Sequence, residues 1–439
     1  MAESYADNHD RADRLRERMI LATLAAVQFT GIVDFMVIMP LGPQLMRVLA
    51  ITPAQFGLVV SSYTFAAGVS GLIATSLIDR IGRKKAFLGL YVGFLVGTLL
   101  CGLAPTYTTL VAARLATGSF GGILGGMAMA IIGDVFPEER RGRATAALMS
   151  AFALASVVGV PFGLYLGIHY GYHAPFLVLA ALGLPVLAIA AVTLPPLRDH
   201  VAQAAEIHPL ASLVKTFAEP NHLNAFALIV TLMLGGFLVS PFVSPYLVSN
   251  VGMSESELPI IFVVAGALTL FTAPVVGRLS DRYGKLRLFR ILAPMSAAIM
   301  VLVTNLPAAS WLIAIGATSG LMVVNSGRMI PAMAMVTSSV APQRRGGFMS
   351  ANSSVQHMAA GLGAFLAGQI IHESADGRLE HFEIVGVLGA MVTLVSLWLA
   401  GRLRPADTSQ HISPAQSIAA AAEATCDAGD PILGAEITA

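Results

Sequence analysis

The chain has 439 residues, of which 56% are apolar or aromatic and only 12% are charged, against roughly 25% charged in a typical soluble domain. That balance excludes a disordered chain, which would have too little to bury, and a soluble globule, which would need more charged surface. Two cysteines, Cys101 and Cys426, exclude a disulfide scaffold, and a formal charge of +1 argues against nucleic acid as a partner. A polytopic membrane protein remains, and the 42 glycines agree with it, because glycine is commoner in membrane helices.

A bilayer core of about 30 Å takes about 20 apolar residues as helix. Residues 1–18 mix both signs of charge and read as a cytoplasmic N-terminal tail, not a cleaved leader. Twelve runs of sufficient length follow: 19–43, 55–78, 86–104, 108–133, 144–168, 174–195, 224–249, 259–279, 288–305, 309–335, 347–372 and 382–402. They are too long for barrel strands and lack their alternation. The first six runs make a bundle over 19–196. A cytoplasmic loop at 197–223, punctuated by Pro209 and Pro220, divides it from a second bundle over 224–403. The Ala/Ser/Asp/Glu-rich tail 404–439 is expected to be disordered.

Charge placement supports this count. With the N-terminus inside, the outer loops hold only Arg47 and Arg378, and Arg114 and Arg328 fall inside helices. All the rest of the 26 Lys and Arg lie on the inner side, a strong positive-inside bias. A missed or extra helix would swap the sides of everything downstream. Both termini are therefore expected in the cytoplasm, with the protein in the cell inner membrane.

The halves repeat. Leu77-Ile78-Asp79-Arg80-Ile81-Gly82-Arg83-Lys84 follows the second run, and Leu279-Ser280-Asp281-Arg282-Tyr283-Gly284-Lys285 follows the eighth, with Asp79 and Asp281 offset by 202. Ala128-Met129-Ala130…Arg140-Arg141-Gly142 matches Ala332-Met333-Ala334…Arg344-Arg345-Gly346 at an offset of 204. Parallel six-helix repeats describe a known transporter architecture. The fold class is an all-α membrane protein, twelve transmembrane helices in two pseudo-symmetric bundles.

With these motifs the chain resembles the major facilitator superfamily over about 19–402. The family's loop signature is met in full by Gly277, Asp281, Arg282, Gly284 and Lys285. The first copy meets it at Asp79, Arg80, Gly82, Arg83 and Lys84, with Thr75 where glycine is expected. The resemblance implies a cytoplasmic latch between the halves that favours the outward-open state. A carboxylate at such a helix end can take charge-assisted hydrogen bonds from basic neighbours or a helix N-terminus; the same charges would also anchor topology. Arg114-Leu115-Ala116-Thr117-Gly118-Ser119-Phe120-Gly121-Gly122 looks like the family's arginine-then-glycine pattern, linked to proton coupling. Gly159-Val160-Pro161-Phe162-Gly163 is similar to the antiporter motif in the form of the bacterial drug:proton branch that includes sugar and purine exporters, with Val160 where glycine commonly precedes proline. A proline between glycines also kinks the helix and lets a neighbour come close.

Ionisable groups deep in the runs are expensive, about 2.5–3.5 kcal/mol or more each, and read as functional. Asp34 lies about 14 Å from the outer end of the first run and Arg114 about 9 Å below the outer end of the fourth, at about 1.5 Å per residue. The two are expected to meet. Burial disfavours an ionised carboxylate and a nearby guanidinium favours it, so a pair that separates can bind a proton in one state and release it in another; a static pair is the alternative. Arg328, nearer the inner face, has no counterpart at the repeat offset. It can bind an anionic substrate group, pair with a helix C-terminus or snorkel to the interface. His357 and Gln356 are further cavity candidates, the imidazole because it titrates near neutral pH, with Gln28, Tyr63, Asn325 and Asn352. In the family the first, fourth, seventh and tenth helices line the cavity, and the third, sixth, ninth and twelfth are peripheral.

Enzyme signatures are absent. Gly277 to Gly284-Lys285 is too long a gap for a phosphate loop, and His372-Glu373-Ser374-Ala375-Asp376 lacks the second His of a zinc site. No cofactor or metal is expected. The expectation is a secondary transporter that exports a small organic compound in exchange for protons by alternating access, acting as a monomer. Uptake on the same fold, by proton symport or facilitated passage, is the alternative, and a non-transporting sensor a remote one.

Overall fold

The computed structural model describes residues 2–77, 82–195, 217, 219–308, 310–341 and 344–406. Its first half holds α1 (Ala2–Val37), α2 (Gly42–Leu49), α3 (Pro53–Leu77), α4 (Arg83–Leu103), α5 (Tyr107–Val135), α6 (Glu138–Leu154), α7 (Val160–Tyr170) and α8 (His173–Thr193). The second holds α9 (Pro220–Val239), α10 (Val243–Tyr246), α11 (Leu258–Tyr283), α12 (Lys285–Thr304), α13 (Trp311–Ser338), α14 (Arg345–Ile370) and α15 (Phe382–Arg402). Strands β1 (His372–Glu373) and β2 (Leu379–Glu380) form a short antiparallel hairpin before α15. Long apolar runs become helices because only a helix satisfies its backbone polar groups within one segment.

Among the described residues, eleven segments are long and apolar enough to cross a membrane. The expected run 347–372 is not among them, although α14 is a 26-residue helix. Asn352, Ser353, Ser354, Gln356 and His357 lower its apolar content. These residues are tolerated because α14 packs between α3 of one half and α9 of the other. A helix covered on two sides has little surface left for lipid.

Three boundaries differ from expectation. No Pro or Gly interrupts residues 2–30, and α1 runs from Ala2, so the expected tail 1–18 is largely helix continuous with the first span. That span ends at Val37, not 43, because Pro40 cannot continue a helix. The second half begins at Pro220, inside the expected loop 197–223. The rest of that loop, apart from residues 217 and 219, and tail positions 407–439 lie outside the described residues.

Duplication is visible in side-chain contacts as well as sequence. Arg83 Nη1 donates to the Ala130 carbonyl at 3.0 Å, and Lys285 Nζ to the Ala334 carbonyl at 3.5 Å. Arg141 Nε donates to Phe136 O at 2.9 Å and Arg345 Nε to Val340 O at 3.2 Å. Each cation sits near the C-terminal end of a helix, where the helix dipole favours positive charge.

The core is continuous at one end of the molecule and divided at the other. At the end away from the start of α1 and the end of α15, one cluster draws from both halves, including Leu41, Phe56, Val59, Phe242, Tyr246 and Phe382. At the other end each half keeps its own cluster, around Phe87, Tyr91 and Ile131 in the first and Phe226, Phe289 and Phe348 in the second. The halves touch where α3 crosses α14 and where α7 meets α11. Glycine permits the first crossing: a Cβ on Gly57 would lie 2.7 Å from the Ala364 carbonyl and 3.1 Å from Gly368 Cα. Beyond it, Arg47 forks onto Glu255 across the halves, with Nη2 to Oε2 at 3.1 Å. The Glu255 hydrogen bond pushes the Arg47 guanidinium further above its ordinary range.

The two contacts differ in weight. An exposed ion pair contributes about 0–1 kcal/mol, so Arg47→Ala should raise labelling of a Phe237→Cys reporter from the far side by no more than about fivefold. Gly57→Leu puts a side chain into a backbone crossing and should raise it further, in protein that still elutes as a folded peak. A larger effect from Arg47→Ala than from Gly57→Leu would refute this ordering.

Candidate functional site

The first helix of the first half carries the central carboxylate. Asp34 lies in the last turn of α1 and is fully buried, as is Arg114 of α5. Arg114 Nη1 donates to Asp34 Oδ2 at 2.9 Å and to the Asp34 carbonyl at 3.3 Å. One guanidinium nitrogen thus neutralises the carboxylate and also meets a carbonyl in a helix's last turn. Thr98 of α4 donates from Oγ1 to Asp34 Oδ1 at 3.1 Å. The Arg114 guanidinium lies 4.4 Å from the centre of the Tyr63 ring, and that ring packs on Phe35 at 5.3 Å.

The pair is under-satisfied on the cation side. Among the described residues, Arg114 Nε and Nη2 have no hydrogen-bond partner, which leaves three of the five guanidinium N–H groups without an acceptor.

Glycines set the approach of the neighbouring helices. Gly159, Gly163 and Gly167 recur every fourth residue, and a Cβ on each would press in turn into Val33 and Val37 of α1 and Leu41 just beyond it. This small-residue row seats α1 against α7 and so places Asp34. On the other side, a Cβ on Gly118 would lie 2.8 Å from Tyr63 Cα, and one on Gly122 2.6 Å from Ala67 Cα. The expected kink at Gly159-Val160-Pro161 takes the form of a π-helical turn, Ala155–Gly159. Pro161 has no N–H to give to the preceding turn, and the Val160 N–H reaches back to the Ala155 carbonyl.

Asp34, Arg114 and Tyr63 form one cluster; the other candidates do not join it. Gln28 and Asn325 are half-buried, with Ser296 donating to Asn325 Oδ1 at 2.7 Å. Gln356 and His357 are half-buried on α14, and Asn352 is fully buried with both amide atoms unpartnered. Arg328 does not snorkel. It is 2% exposed and reaches Thr393 of α15 from Nη1 at 3.0 Å and the Leu232 carbonyl of α9 from Nη2 at 3.4 Å. Of the loop signature, Asp79 and Arg80 lie outside the described residues. Gly82 precedes α4, and Arg83 pairs with Asp134. Gly277 lies within α11, while Asp281, Arg282 and Gly284 are exposed at its end. Gly284 has φ +93°, a conformation that side chains resist, which lets α11 turn directly into Lys285 and α12.

Sequence reasoning missed Thr98, whose only signal was a hydroxyl in an otherwise apolar helix. It also missed the Val33, Val37 and Leu41 row that meets the glycines.

A model of the Major Facilitator Superfamily matches residues 24–233 and 225–426. The chain belongs to the major facilitator superfamily. Its relatives include the uncharacterized MFS-type transporters YceJ and YbcL of Bacillus subtilis (strain 168). YceJ is 25% identical over 89% of this chain and 98% of its own length, and YbcL 23% identical over 89% and 97%. Among solved structures, a bacterial homologue of the human lysosomal transporter Spinster, inward-facing and occupied, superposes with a TM-score of 0.66 at 17% identity, covering 89% of this chain and 98% of that one. Its unoccupied inward-facing form gives 0.65 at 16%, covering 88% and 95%. The protein is therefore a multi-pass membrane transporter of the secondary type for a small molecule, not an enzyme.

Removing one partner of a buried ion pair costs about 3–5 kcal/mol. Asp34→Asn and Arg114→Gln should each lower the thermal unfolding temperature in detergent, and the double variant should recover much of the loss, a coupling read as a double-mutant cycle. Additive losses would show that the pair does not act as a unit. Gly159→Ala should destabilise by about 1–3 kcal/mol through overpacking against Val33; an unchanged unfolding temperature would refute the close approach.

Proposed function

We propose that this transporter is a proton-coupled exporter of a small organic compound, with Asp34 carrying the proton and Arg114 controlling its release. The observation that carries the reading is the fully buried Asp34–Arg114 pair with its unused guanidinium donors. A carboxylate in that setting stays ionised only beside its cation. A change of state that draws α5 away from α1 leaves a carboxylate that must take a proton or open to water. Coupling needs that alternation.

Alternating access gives the second part of the reading. A shared core at the far end and separate cores towards the termini support an inward-facing state, with the termini in the cytoplasm. The basic residues crowd that same side. With α14 counted as a span, the spans among the described residues number twelve, an even count that supports both termini on one face. Asp281 and Arg282, exposed here, become the latch when the cytoplasmic side closes. The π-helical turn before Pro161, which lies against α11 of the other half, supports export over uptake as the antiporter-like element.

Inverted vesicles energised by respiration test this. Compounds that are substrates should dissipate the pH gradient, read with an acridine dye, in vesicles holding the wild-type protein. Asp34→Asn, compared at equal folded amount, should lose that dissipation by tenfold or more while retaining exchange of substrate across the membrane. Gradient-driven transport at the wild-type rate in Asp34→Asn rules out the carboxylate as proton carrier.

A further inference from the structure

Arg328 is a second buried guanidinium, and the second half gives it no carboxylate. At 2% exposure it makes two contacts, to the Thr393 hydroxyl and the Leu232 carbonyl, and its Nε has no partner. Both partners are neutral, so its charge is uncompensated among the described residues. Such a group is far more costly to bury than a polar one, and in a membrane segment it marks a solute path by default.

The repeat shows what stands where the first half keeps its carboxylate. At the offset of 202, Phe35 corresponds to Phe237 and Pro43 to Pro245. The two phenylalanine rings meet at 5.9 Å across the halves, and a Cβ on Gly42 would touch Pro245 at 2.8 Å, so this register is also a spatial one. In it Asp34 corresponds to Gly236. A Cβ built on Gly236 would meet a single group within 4 Å, Nη2 of Arg328 at 3.6 Å. The two arginines start from different levels of α5 and α13, yet their guanidinium groups arrive beside equivalent positions of α1 and α9. In one half a carboxylate is built in. In the other there is a cation, an open flank on a half-buried glycine, and no acid.

We propose that Arg328 is the anion subsite of the transport pathway, taking the carboxylate of an organic acid substrate into the space beside Gly236. Nη2 faces that space, and Asn325 lies one turn away on the same face of α13, its Oδ1 accepting from Ser296 and its amide nitrogen without a partner among the described residues. A planar carboxylate suits a guanidinium because it can accept two parallel hydrogen bonds. The proposal names the substrate class for the transport reading and rests on it, but its readout is binding. Loss of proton coupling in Asp34→Asn would leave it standing.

The test uses the purified full-length protein and three probes: benzoate, its neutral isostere benzamide, and chloride. Binding to the folded state raises the unfolding temperature by mass action. Benzoate at millimolar concentration should raise it by about 2 °C or more, with little effect from benzamide. Gly236→Asp places an internal carboxylate against Arg328 and should abolish the benzoate response while raising the starting temperature. Arg328→Gln removes the cation and should abolish it too, in protein that still elutes as a folded peak. Equal responses to benzoate and benzamide, no response to either, or a full benzoate response in Gly236→Asp would each overturn the proposal. A chloride response equal to that of benzoate would make the site one for inorganic anions and would overturn the assignment to substrate.

Discussion

A guanidinium sealed from water is costly without a negative charge beside it, and the two buried arginines of this transporter differ in whether the described chain supplies one. Arg114 finds Asp34 one helix away, with Thr98 and the Tyr63 ring completing the enclosure. The attraction is strong because the surroundings are apolar, and for the same reason either partner alone would be severely penalised. Helices α1 and α5 are thus tied by an interaction that is favourable when made and demanding when broken. That is the behaviour expected of a switch element with two discrete arrangements, not of a packing contact that yields gradually.

Close helix approach is what makes the tie possible. The row Gly159, Gly163 and Gly167 seats α7 on α1, and Gly118 and Gly122 seat α5 on α3. Lipid tails are as apolar as leucine, so helices in a bilayer gain little by hiding apolar surface from lipid. Association relies on tight backbone contact, and small residues supply it. Where the two halves meet, glycine again does the work, at Gly57 and Gly368 in the crossing of α3 with α14. A crossing of small residues can slide or part as a rigid unit because no large side chains have to be unthreaded. The core is correspondingly uneven, shared between the halves at one end and split at the other.

Pseudo-symmetry keeps the scaffold and varies the chemistry. The helix-end cations recur at the repeat offset, Arg83 with Lys285 and Arg141 with Arg345, on matching carbonyls. These contacts hold helix termini, a requirement that does not depend on what is carried. The charged interior does not recur. Position 34 is an acid and position 236 a glycine, while Arg114 and Arg328 depart from different turns. Two halves of one fold have come to treat buried charge differently, one internally balanced and one not.

The order and approximate ends of the spans, the duplication and the buried charges were legible in the sequence, because each depends on local apolar length, local charge or repetition along the chain. The meeting of Asp34 with Arg114 was expected from depths counted along a first run to residue 43; the pair forms although α1 ends at Val37, so side-chain reach and packing close the gap. The character of α14 was harder to read, because its polar face is tolerated only through contacts with α3 and α9. The fate of Arg328 was not legible at all: a long side chain spans more than a turn, and only packing decided that it would reach Thr393 and Leu232 instead of the interface. Sequence by itself determined which groups had to be hidden from lipid. Tertiary structure decided which of them were buried against a partner, because apolar length and charge are written along the chain while burial and pairing depend on where distant helices cross.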